Sequence, residues 1–225
     1  MRQAPYALVI FDFDGTLVDS ERCIHEAMAA ALAERGVAGD LSRLRRQIGM
    51  PLDRSIRSLI DVQLDDSTVA TIIDTYRRHH MTLQRELIQP YPGVPAALRE
   101  LSQAGVRLAI ATSKVSTAVE ATLEQFEISD LFACVVGGEQ VVNGKPDPEM
   151  IELVLARVGE RREEALVVGD TVFDVAMAHR AQMDSCAVTY GNQTAEQLSN
   201  GDPTYLASSI EEVVRFIEPR RTPTR

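Results

Sequence analysis

Five short apolar segments, each followed by a helical pattern, constrain the fold of this chain more than any other feature. Strands that alternate with helices in this way are typical of a doubly wound parallel sheet, because parallel strands need a crossover connection that is usually a helix. We therefore predict an α/β fold built on such a sheet. The predicted strands span residues 7–11, 106–111, 133–136, 165–168 and 186–189.

The interval between the first two predicted strands is too long for one crossover. A βαβ crossover needs about a dozen residues, whereas residues 16–92 contain helical patterns at 21–35, 41–48, 52–60 and 67–87. An inserted helical domain explains the excess. We therefore divide the chain into a core, residues 1–16 and 91–225, and an inserted helical domain, residues 17–90. Because both connections of the insertion lie beside the end of the first strand, we expect the insertion to cover that end as a lid.

Composition excludes several classes of function. The formal net charge of −10 argues against nucleic-acid binding, which needs clustered positive charge. Three widely spaced cysteines, an odd number, indicate free thiols in a reducing compartment. No stretch approaches the ~20 apolar residues of a membrane span, and the apolar run before Asp12 is too short for a signal peptide. We expect a cytoplasmic protein that acts on a small molecule, binds neither nucleic acid nor membrane, and is a monomer or a homodimer.

The first apolar run ends in Asp12-Phe13-Asp14-Gly15-Thr16. A buried strand of a parallel sheet places this loop at its carboxyl end, where such sheets bind ligands. A spacing of two puts both carboxylates on one face. Like charges so close raise the pKa of one carboxyl group unless a cation or a proton is shared, and we expect this of Asp14. An Asx-type turn after a strand, which Asp and Gly also favour, is the structural alternative.

Polar side chains also follow three later strands. Thr112 and Ser113 open a helix, where small hydroxyls and backbone N–H groups can cradle a phosphate or simply cap the helix. Lys145 lies in a turn before another helix, and a solvated lysine is its alternative interpretation. Asp170 and Asp174 follow the fourth strand within one helical turn, where a capping residue and a first-turn acid favoured by the helix dipole are the alternatives.

These alternatives do not explain why acids, hydroxyls and a lysine all occur at one edge of the predicted sheet. Asp12, Asp14 and Asp170 would form an oxygen-rich anionic pocket, which suits Mg²⁺ with waters and a substrate phosphate as further ligands. Lys145 and Thr112 would hold the remaining phosphate oxygens. The residues therefore predict a magnesium-dependent phosphoryl-transfer site.

The four motifs resemble those of the haloacid dehalogenase superfamily, in order and over nearly the whole chain. The matching residues are Asp12 to Thr16, Thr112, Lys145, and Gly169-Asp170 through Asp174. The resemblance implies a Rossmann-like core with an inserted helical cap of the C1 type. It implies that Asp12 is a nucleophile that forms an aspartyl-phosphate, and that Asp14 protonates the leaving group and then activates water. It also implies that the Asp12 and Asp170 side chains and the Asp14 carbonyl hold Mg²⁺. Asp174 would support these ligands without binding the metal itself.

Within the superfamily, the chain looks most similar to phosphoglycolate phosphatases, through Gly169-Asp170 and segments 188–191 and 48–52. This implies hydrolysis of a small phosphomonoester resembling phosphoglycolate. A pyrophosphatase and a sugar-phosphate phosphatase or phosphomutase are alternatives, and a non-catalytic phosphate-sensing protein is a further one.

Three arginines precede segment 48–52, namely Arg43, Arg45 and Arg46. An exposed helix face explains at least two of them. Arg46, the nearest to the segment, is our candidate for binding a substrate carboxylate or a second phosphate, because guanidinium binds both groups in a bidentate manner.

Overall fold

A six-stranded parallel sheet forms the centre of the molecule. The computed structural model describes residues 6–217. Their strands are β1 (Leu8–Phe11), β2 (Val18–Asp19), β3 (Gln89–Pro90), β4 (Arg107–Ala111), β5 (Phe132–Val136), β6 (Ala165–Gly169), β7 (Asp184–Val188) and β8 (Tyr205–Ala207). The sheet has the order β5-β4-β1-β6-β7-β8, and all neighbouring strands in it are parallel. The predicted α/β fold is confirmed.

Strand β1 lies in the middle of the sheet because it is apolar on both faces. Its four residues are fully buried. Val9 and Phe11 pack into one apolar cluster, whereas Leu8 and Ile10 pack into another on the opposite face. This alternation follows from the two-residue period of a strand. Both faces are covered, as a parallel sheet requires.

Nine helices are described within residues 6–217. They are α1 (Glu21–Glu34), α2 (Leu52–Leu59), α3 (Asp66–Leu87), α4 (Val94–Gln103), α5 (Ser116–Gln125), α6 (Glu149–Val158), α7 (Val172–Arg180), α8 (Ala195–Ser199) and α9 (Ile210–Ile217). Helices α4, α5 and α9 supply residues to the cluster that contains Val9, and α6 and α7 supply residues to the cluster that contains Leu8. The sheet is thus doubly wound.

The helices between β2 and β3 have an apolar cluster of their own. Helices α1, α2 and α3 and the 3₁₀ helix Leu41–Gln47 contribute to it. Its buried members all come from residues 24–72, namely Ile24, Met28, Ala31, Leu32, Leu44, Ile48, Ile56, Leu59, Ile60 and Ile72. The two chain segments that lead into and out of this region pair as an antiparallel ribbon, Val18 with Pro90 and Asp19 with Gln89. A separate cluster supports an inserted helical domain. Its bounds at residues 17 and 90 stay a prediction, and residues 1–5 and 218–225 of the predicted core lie outside the described residues.

The structure differs from the sequence prediction in short elements. Strands β2, β3 and β8 are two or three residues long and were not predicted. The segment predicted as a helix over residues 41–48 is a 3₁₀ helix. The N-cap of α3 is Asp65, whose carboxylate accepts a hydrogen bond from the Thr68 N–H. Cys23, Cys134 and Cys186 are all free thiols. No helix within residues 6–217 has the length and apolar character needed to cross a bilayer.

Candidate active site

The sheet brings the predicted site residues together at its carboxyl edge. Strand β1 lies between β4 and β6, so the residues that follow these three strands are neighbours. Asp12 follows β1, Thr112 follows β4 and Asp170 follows β6. The three residues are buried, with 3%, 2% and 0% of their surface exposed. Strand order therefore converts three distant sequence positions into one polar cluster.

Lys145 is the central cation of this cluster. Its side chain is fully buried, and its Nζ lies 2.7 Å from Asp12 Oδ1 and 2.7 Å from Asp174 Oδ1. Burial alone would lower the pKa of Lys145, but the two carboxylates more than reverse this and raise the pKa above its usual value. The ammonium is thus charged and fixed between two acids, so the solvated lysine of the sequence alternative does not describe it.

Asp12 has one carboxylate oxygen without a partner. Its Oδ1 pairs with Lys145, whereas its Oδ2 is buried and accepts no hydrogen bond from any described residue. Burial raises the pKa of Asp12 to about 6, although Lys145 opposes this shift. An unpartnered buried carboxylate oxygen is costly. This oxygen is therefore suited to bind a cation or to attack an electrophile.

Three hydrogen bonds hold the carboxylate of Asp170 in place. Its Oδ2 accepts hydrogen bonds from the backbone N–H and the side-chain amide of Asn192, each at 2.7 Å, and its Oδ1 accepts one from Thr16 Oγ1 at 3.2 Å. Burial and the nearby charges of Asp12 and Asp174 raise the pKa of Asp170 to about 8. Gly15 makes this arrangement possible, because a Cβ there would lie 2.2 Å from Asp170 Oδ2 and 2.1 Å from Asn192 Nδ2. Its φ of +87° also favours glycine.

Asp174 is oriented by the start of helix α7. Its carboxylate Oδ2 accepts hydrogen bonds from the Thr171 N–H at 3.1 Å and from the Thr171 hydroxyl at 2.6 Å. The Thr171 side chain in turn accepts a hydrogen bond from the Asp174 N–H, so the two residues form a capping box. Its other oxygen contacts Lys145. Asp174 is thus both a first-turn acid and the anchor that positions Lys145.

The acids at this edge fit a divalent cation. Asp12, Asp170 and Asp174 each offer a carboxylate oxygen, and these oxygens lie within 4.8 Å of one another. Within residues 6–217, the ion pairs of these carboxylates are those of Lys145 with Asp12 and Asp174. Hard divalent cations such as Mg²⁺ prefer carboxylate oxygens, and the partnerless Asp12 Oδ2 offers such a ligand. The donor set and the uncompensated charge both match the predicted metal.

Asp14 differs from its sequence prediction. Its carboxylate does not join the acid cluster but forms an ion pair with Lys114, whose Nζ lies 3.0 Å from Oδ1 and 3.2 Å from Oδ2. Burial raises the pKa of Asp14, but Lys114 and a hydrogen bond from Ser20 outweigh burial, so the net pKa is lowered. The expected rise of the Asp14 pKa was wrong, because a lysine 100 residues away in the chain supplies the compensating charge.

Lys114 and His80 are site residues that the sequence analysis missed. Lys114 Nζ also lies 2.9 Å from His80 Nε2 on helix α3. Burial, and then the charge of Lys114, lower the pKa of His80 to about 3, so the neutral ring accepts this hydrogen bond. One signal was present in the sequence. The chain has only two lysines, and both lie in loops that follow strands of the sheet.

Thr112 and Ser113 lie at the same edge with different contacts. Thr112 Oγ1 accepts a hydrogen bond from the Lys114 N–H at 3.3 Å. Ser113 Oγ donates to the Gly49 carbonyl oxygen at 2.7 Å, which ties the end of β4 to the segment after the 3₁₀ helix. The structure therefore places Thr112 with the acids and gives Ser113 a contact with the helical insertion.

The three candidate arginines lie outside the acid cluster. Arg43 pairs with Asp40 and Asp61 on the surface. Arg45 donates to the Gly191 carbonyl oxygen at 3.3 Å. Arg46 is exposed and is not among the residues that line the cavity at this site. The structure thus does not bring Arg46 to the predicted phosphate position.

A cavity of about 470 Å³ lies between the strand ends and the helical insertion. Asp12, Asp14, Thr112, Ser113 and Lys114 line its sheet side. Residues of α1, α2 and α3 and of the segment around Gly49 line its other side. Of the predicted site residues, Asp12, Asp14, Thr112 and Ser113 therefore face a cavity of the size that small-molecule sites usually have.

Comparison with known proteins gives a consistent result. The family model described as haloacid dehalogenase-like hydrolase matches residues 9–188. The "Probable phosphatase IndB" of Dickeya dadantii is 35% identical over 92% of this chain and 91% of its own length. The phosphoglycolate phosphatase of Vibrio cholerae is 32% identical over 93% and 96%.

Further similarities extend to a pyrophosphatase and to a solved structure. The pyrophosphatase PpaX of Halalkalibacterium halodurans is 28% identical over 93% of this chain and 95% of its own. The crystal structure of a predicted phosphatase from Clostridium acetobutylicum superposes with a TM-score of 0.84, at 29% identity over 93% of this chain and 97% of that chain. Each match covers the helical insertion as well as the sheet, because each spans nearly the whole of both chains.

Proposed function

Because this chain belongs to the haloacid dehalogenase-like hydrolase family and is a phosphatase, we propose that it hydrolyses a phosphomonoester through an aspartyl-phosphate on Asp12, with Mg²⁺ as cofactor. The observation that carries the proposal is the partnerless, buried Oδ2 of Asp12 at the end of the central strand, beside Lys145 and within the acid cluster.

In the first half of the reaction, a carboxylate oxygen of Asp12 attacks phosphorus and the bond from phosphorus to the leaving-group oxygen breaks. The proton that the leaving oxygen needs comes from Asp14. Lys145 holds Asp12 in place and, with the Thr112 and Ser113 hydroxyls, would bind phosphate oxygens. The side chains of Asp12 and Asp170 and the Asp14 carbonyl would hold Mg²⁺, with Asp174 behind them. When bound, Mg²⁺ would screen the negative charge that opposes attack on a phosphate.

In the second half, Asp14 takes a proton from water, the water oxygen bonds to phosphorus, and the bond to Asp12 breaks to release inorganic phosphate. The ionised form of Asp14 that Lys114 stabilises suits this base role. The acid role needs a protonated Asp14. Lys114 must therefore leave Asp14 when substrate binds, and the charge of the incoming phosphate attracts its ammonium away.

The leaving group was predicted from the sequence to be small and similar to glycolate. Relatives named phosphoglycolate phosphatase favour this substrate, and relatives named pyrophosphatase favour the first alternative. A sugar-phosphate phosphatase or phosphomutase shares the same core chemistry. A non-catalytic phosphate-sensing protein is disfavoured, because the chain keeps both Asp12 and Asp14. Arg46 was the candidate for binding the carboxylate of a glycolate leaving group, and it lies outside the cavity lining. The site therefore supports a phosphate as the transferred group more than glycolate as the leaving group.

We further propose that residues 17–90 form a cap that moves on the core of residues 1–16 and 91–225. The separate apolar cluster of the helical insertion and the two-strand ribbon of β2 and β3 support this division. Closure of such a cap would exclude water during the first half of the reaction. Cytoplasmic location stays a prediction from the sequence.

The decisive experiment compares Asp12→Asn with Asp130→Asn, an exposed aspartate before the amino end of β5. We expect Asp12→Asn to lower kcat for p-nitrophenyl phosphate by a factor on the order of 10⁴ or more, as loss of a nucleophile does, and Asp130→Asn to leave it unchanged. EDTA should abolish activity and Mg²⁺ should restore it. Near wild-type turnover by folded Asp12→Asn, or activity that resists EDTA, would disprove the proposal.

A further inference from the structure

We propose that the natural leaving group is a largely apolar organic group, of ring size or longer, that fills the cavity beyond the phosphate position. This inference rests on the proposed phosphatase function and specifies its substrate class. It departs from a small acidic leaving group such as glycolate.

The wall of the cavity that belongs to the helical insertion is made mainly of apolar side chains. Ile24 of α1, Met50 and Leu52 around the start of α2, and Met81 of α3 line it. On the sheet side, Val115 and helix α5 continue the apolar surface beyond Lys114. Apolar surface that faces a substrate contributes to binding only if the substrate covers it with apolar groups. A phosphate with a two-carbon acid would leave most of this wall in contact with water.

The charged groups of the lining provide no free carboxylate site among its buried residues. Of the described residues that line the cavity, Asp12, Asp14, Lys114 and Arg77 carry charge. Lys114 is already bound to Asp14 and His80. Arg77 has no ion pair within residues 6–217, but its side chain is exposed, so a carboxylate bound to it would stay in contact with water. The two aspartates would repel a second anion on the substrate. The ammonium of Lys114, once it leaves Asp14, would pair with the phosphate and not with a carboxylate.

Two methionines make the wall adaptable. Met50 and Met81 line the cavity with partly accessible side chains, and unbranched methionine side chains conform to ligands of irregular shape. Tyr76 and His80 add an aromatic surface, with ring centroids 5.6 Å apart. The shape of the wall therefore suits a ring or an alkyl chain.

One polar atom in the lining also lacks a partner. Gln84 Oε1 is buried and accepts no hydrogen bond within the described residues. A buried acceptor without a donor costs free energy that a ligand N–H or O–H group can recover. A hydrogen-bond donor on an otherwise apolar leaving group would fit this position.

The test measures kcat/KM for ethyl, butyl and hexyl phosphate, with phosphoglycolate alongside. The three alkyl leaving groups have similar basicity, so chemistry is constant and only buried apolar surface changes. We expect kcat/KM to rise about three- to fourfold for each added methylene, which follows from the usual transfer free energy of a buried methylene. Phosphoglycolate should be poorer than hexyl phosphate. A flat or falling series, or a clear preference for phosphoglycolate, would overturn the inference while the proposed function stands.

Binding of the matching alkylphosphonates to the Mg²⁺-loaded protein separates the two proposals. These compounds need no turnover, so their affinity should also rise with chain length. An absence of p-nitrophenyl phosphate hydrolysis would disprove the proposed function, and the phosphonate series would still decide whether the cavity binds apolar groups.

A matched pair of variants locates the effect. Met81→Glu introduces a charge in the lining, whereas Val62→Glu introduces the same charge at a residue that is 66% exposed and outside it. Both original side chains are exposed, so both variants should fold. We expect Met81→Glu to lower kcat/KM for hexyl phosphate about tenfold and for ethyl phosphate less than threefold, with no change for Val62→Glu. Equal losses for the two esters in Met81→Glu would contradict the inference.

Discussion

Two neighbouring regions at the carboxyl edge of the sheet use the two lysines of the chain in opposite ways. Lys145 is fully buried and lies between Asp12 and Asp174 at short distances. Lys114 lines the cavity, keeps 10% of its side chain exposed and joins Asp14 to His80 of α3. The first lysine belongs to a rigid charge cluster. The second links the core to helix α3 of the insertion, and this link would break if the proposed cap opens.

Lys145→Met is the strongest test of this contrast. Removal of Lys145 leaves Asp12 and Asp174 buried without a cation, and loss of one member of a buried ion pair costs about 3–5 kcal/mol. We expect urea unfolding of the metal-free protein at pH 8 to show a loss in that range. Lys114→Met is the matched variant and should cost less, because Asp14 retains contact with the cavity. Equal losses for the two variants would remove the distinction.

Asp14→Asn tests the proposed role of the Asp14–Lys114 ion pair in the reaction. The change removes the proton donor and leaves the backbone carbonyl, so we expect kcat for butyl phosphate to fall by a factor on the order of 10² to 10⁴. p-Nitrophenyl phosphate should lose less, because its leaving group needs no proton. Asp19→Asn, on the exposed face of β2, is the control. An equal loss for both substrates would show that Asp14 is not the acid.

His80→Gln tests the helical wall through pH. Burial lowers the pKa of His80 to about 3, below its usual value of about 6.5. The neutral ring is therefore favoured in the folded state. The contribution of His80 to the free energy of unfolding is therefore fully present above pH 6.5. It falls by about 1.4 kcal/mol per pH unit as the pH drops from 6.5 toward 3. By pH 5 the wild type should have lost about 2 kcal/mol more than His80→Gln. The exposed His25→Gln should follow the wild type, and parallel pH profiles for wild type and His80→Gln would contradict the prediction.

Arg46→Ala should have the smallest effect. Arg46 was predicted from the sequence to bind substrate, but its side chain is exposed and does not line the cavity. We expect kcat/KM for phosphoglycolate and ethyl phosphate to change less than twofold, since surface substitutions usually have little effect. A loss of tenfold or more for phosphoglycolate alone would restore Arg46 as a specificity residue and would place the helical wall closer to the substrate than in this structure.

Much of the fold could be predicted because its signals are local. The apolar run of β1 and its all-buried pattern identify a central strand, and the end of that run marks the site. Strands β2, β3 and β8 were missed because two or three residues contain no detectable alternation. The 3₁₀ helix at Leu41–Gln47 was predicted as an ordinary helix because both share a similar apolar spacing over so short a segment.

The sequence by itself determined which residues stand at the carboxyl ends of the strands, since a strand ends where its apolar run ends. It thereby placed Asp12, Thr112 and Asp170 at the same edge of the sheet. Only the tertiary structure decided which acid each lysine neutralises. Asp14 and Lys114 are 100 residues apart and Lys114 and His80 are 34 apart, and no local pattern encodes a contact between them. The apolar wall was likewise invisible, because its residues follow the ordinary helical spacing of a core until α1 and α3 are placed over the sheet.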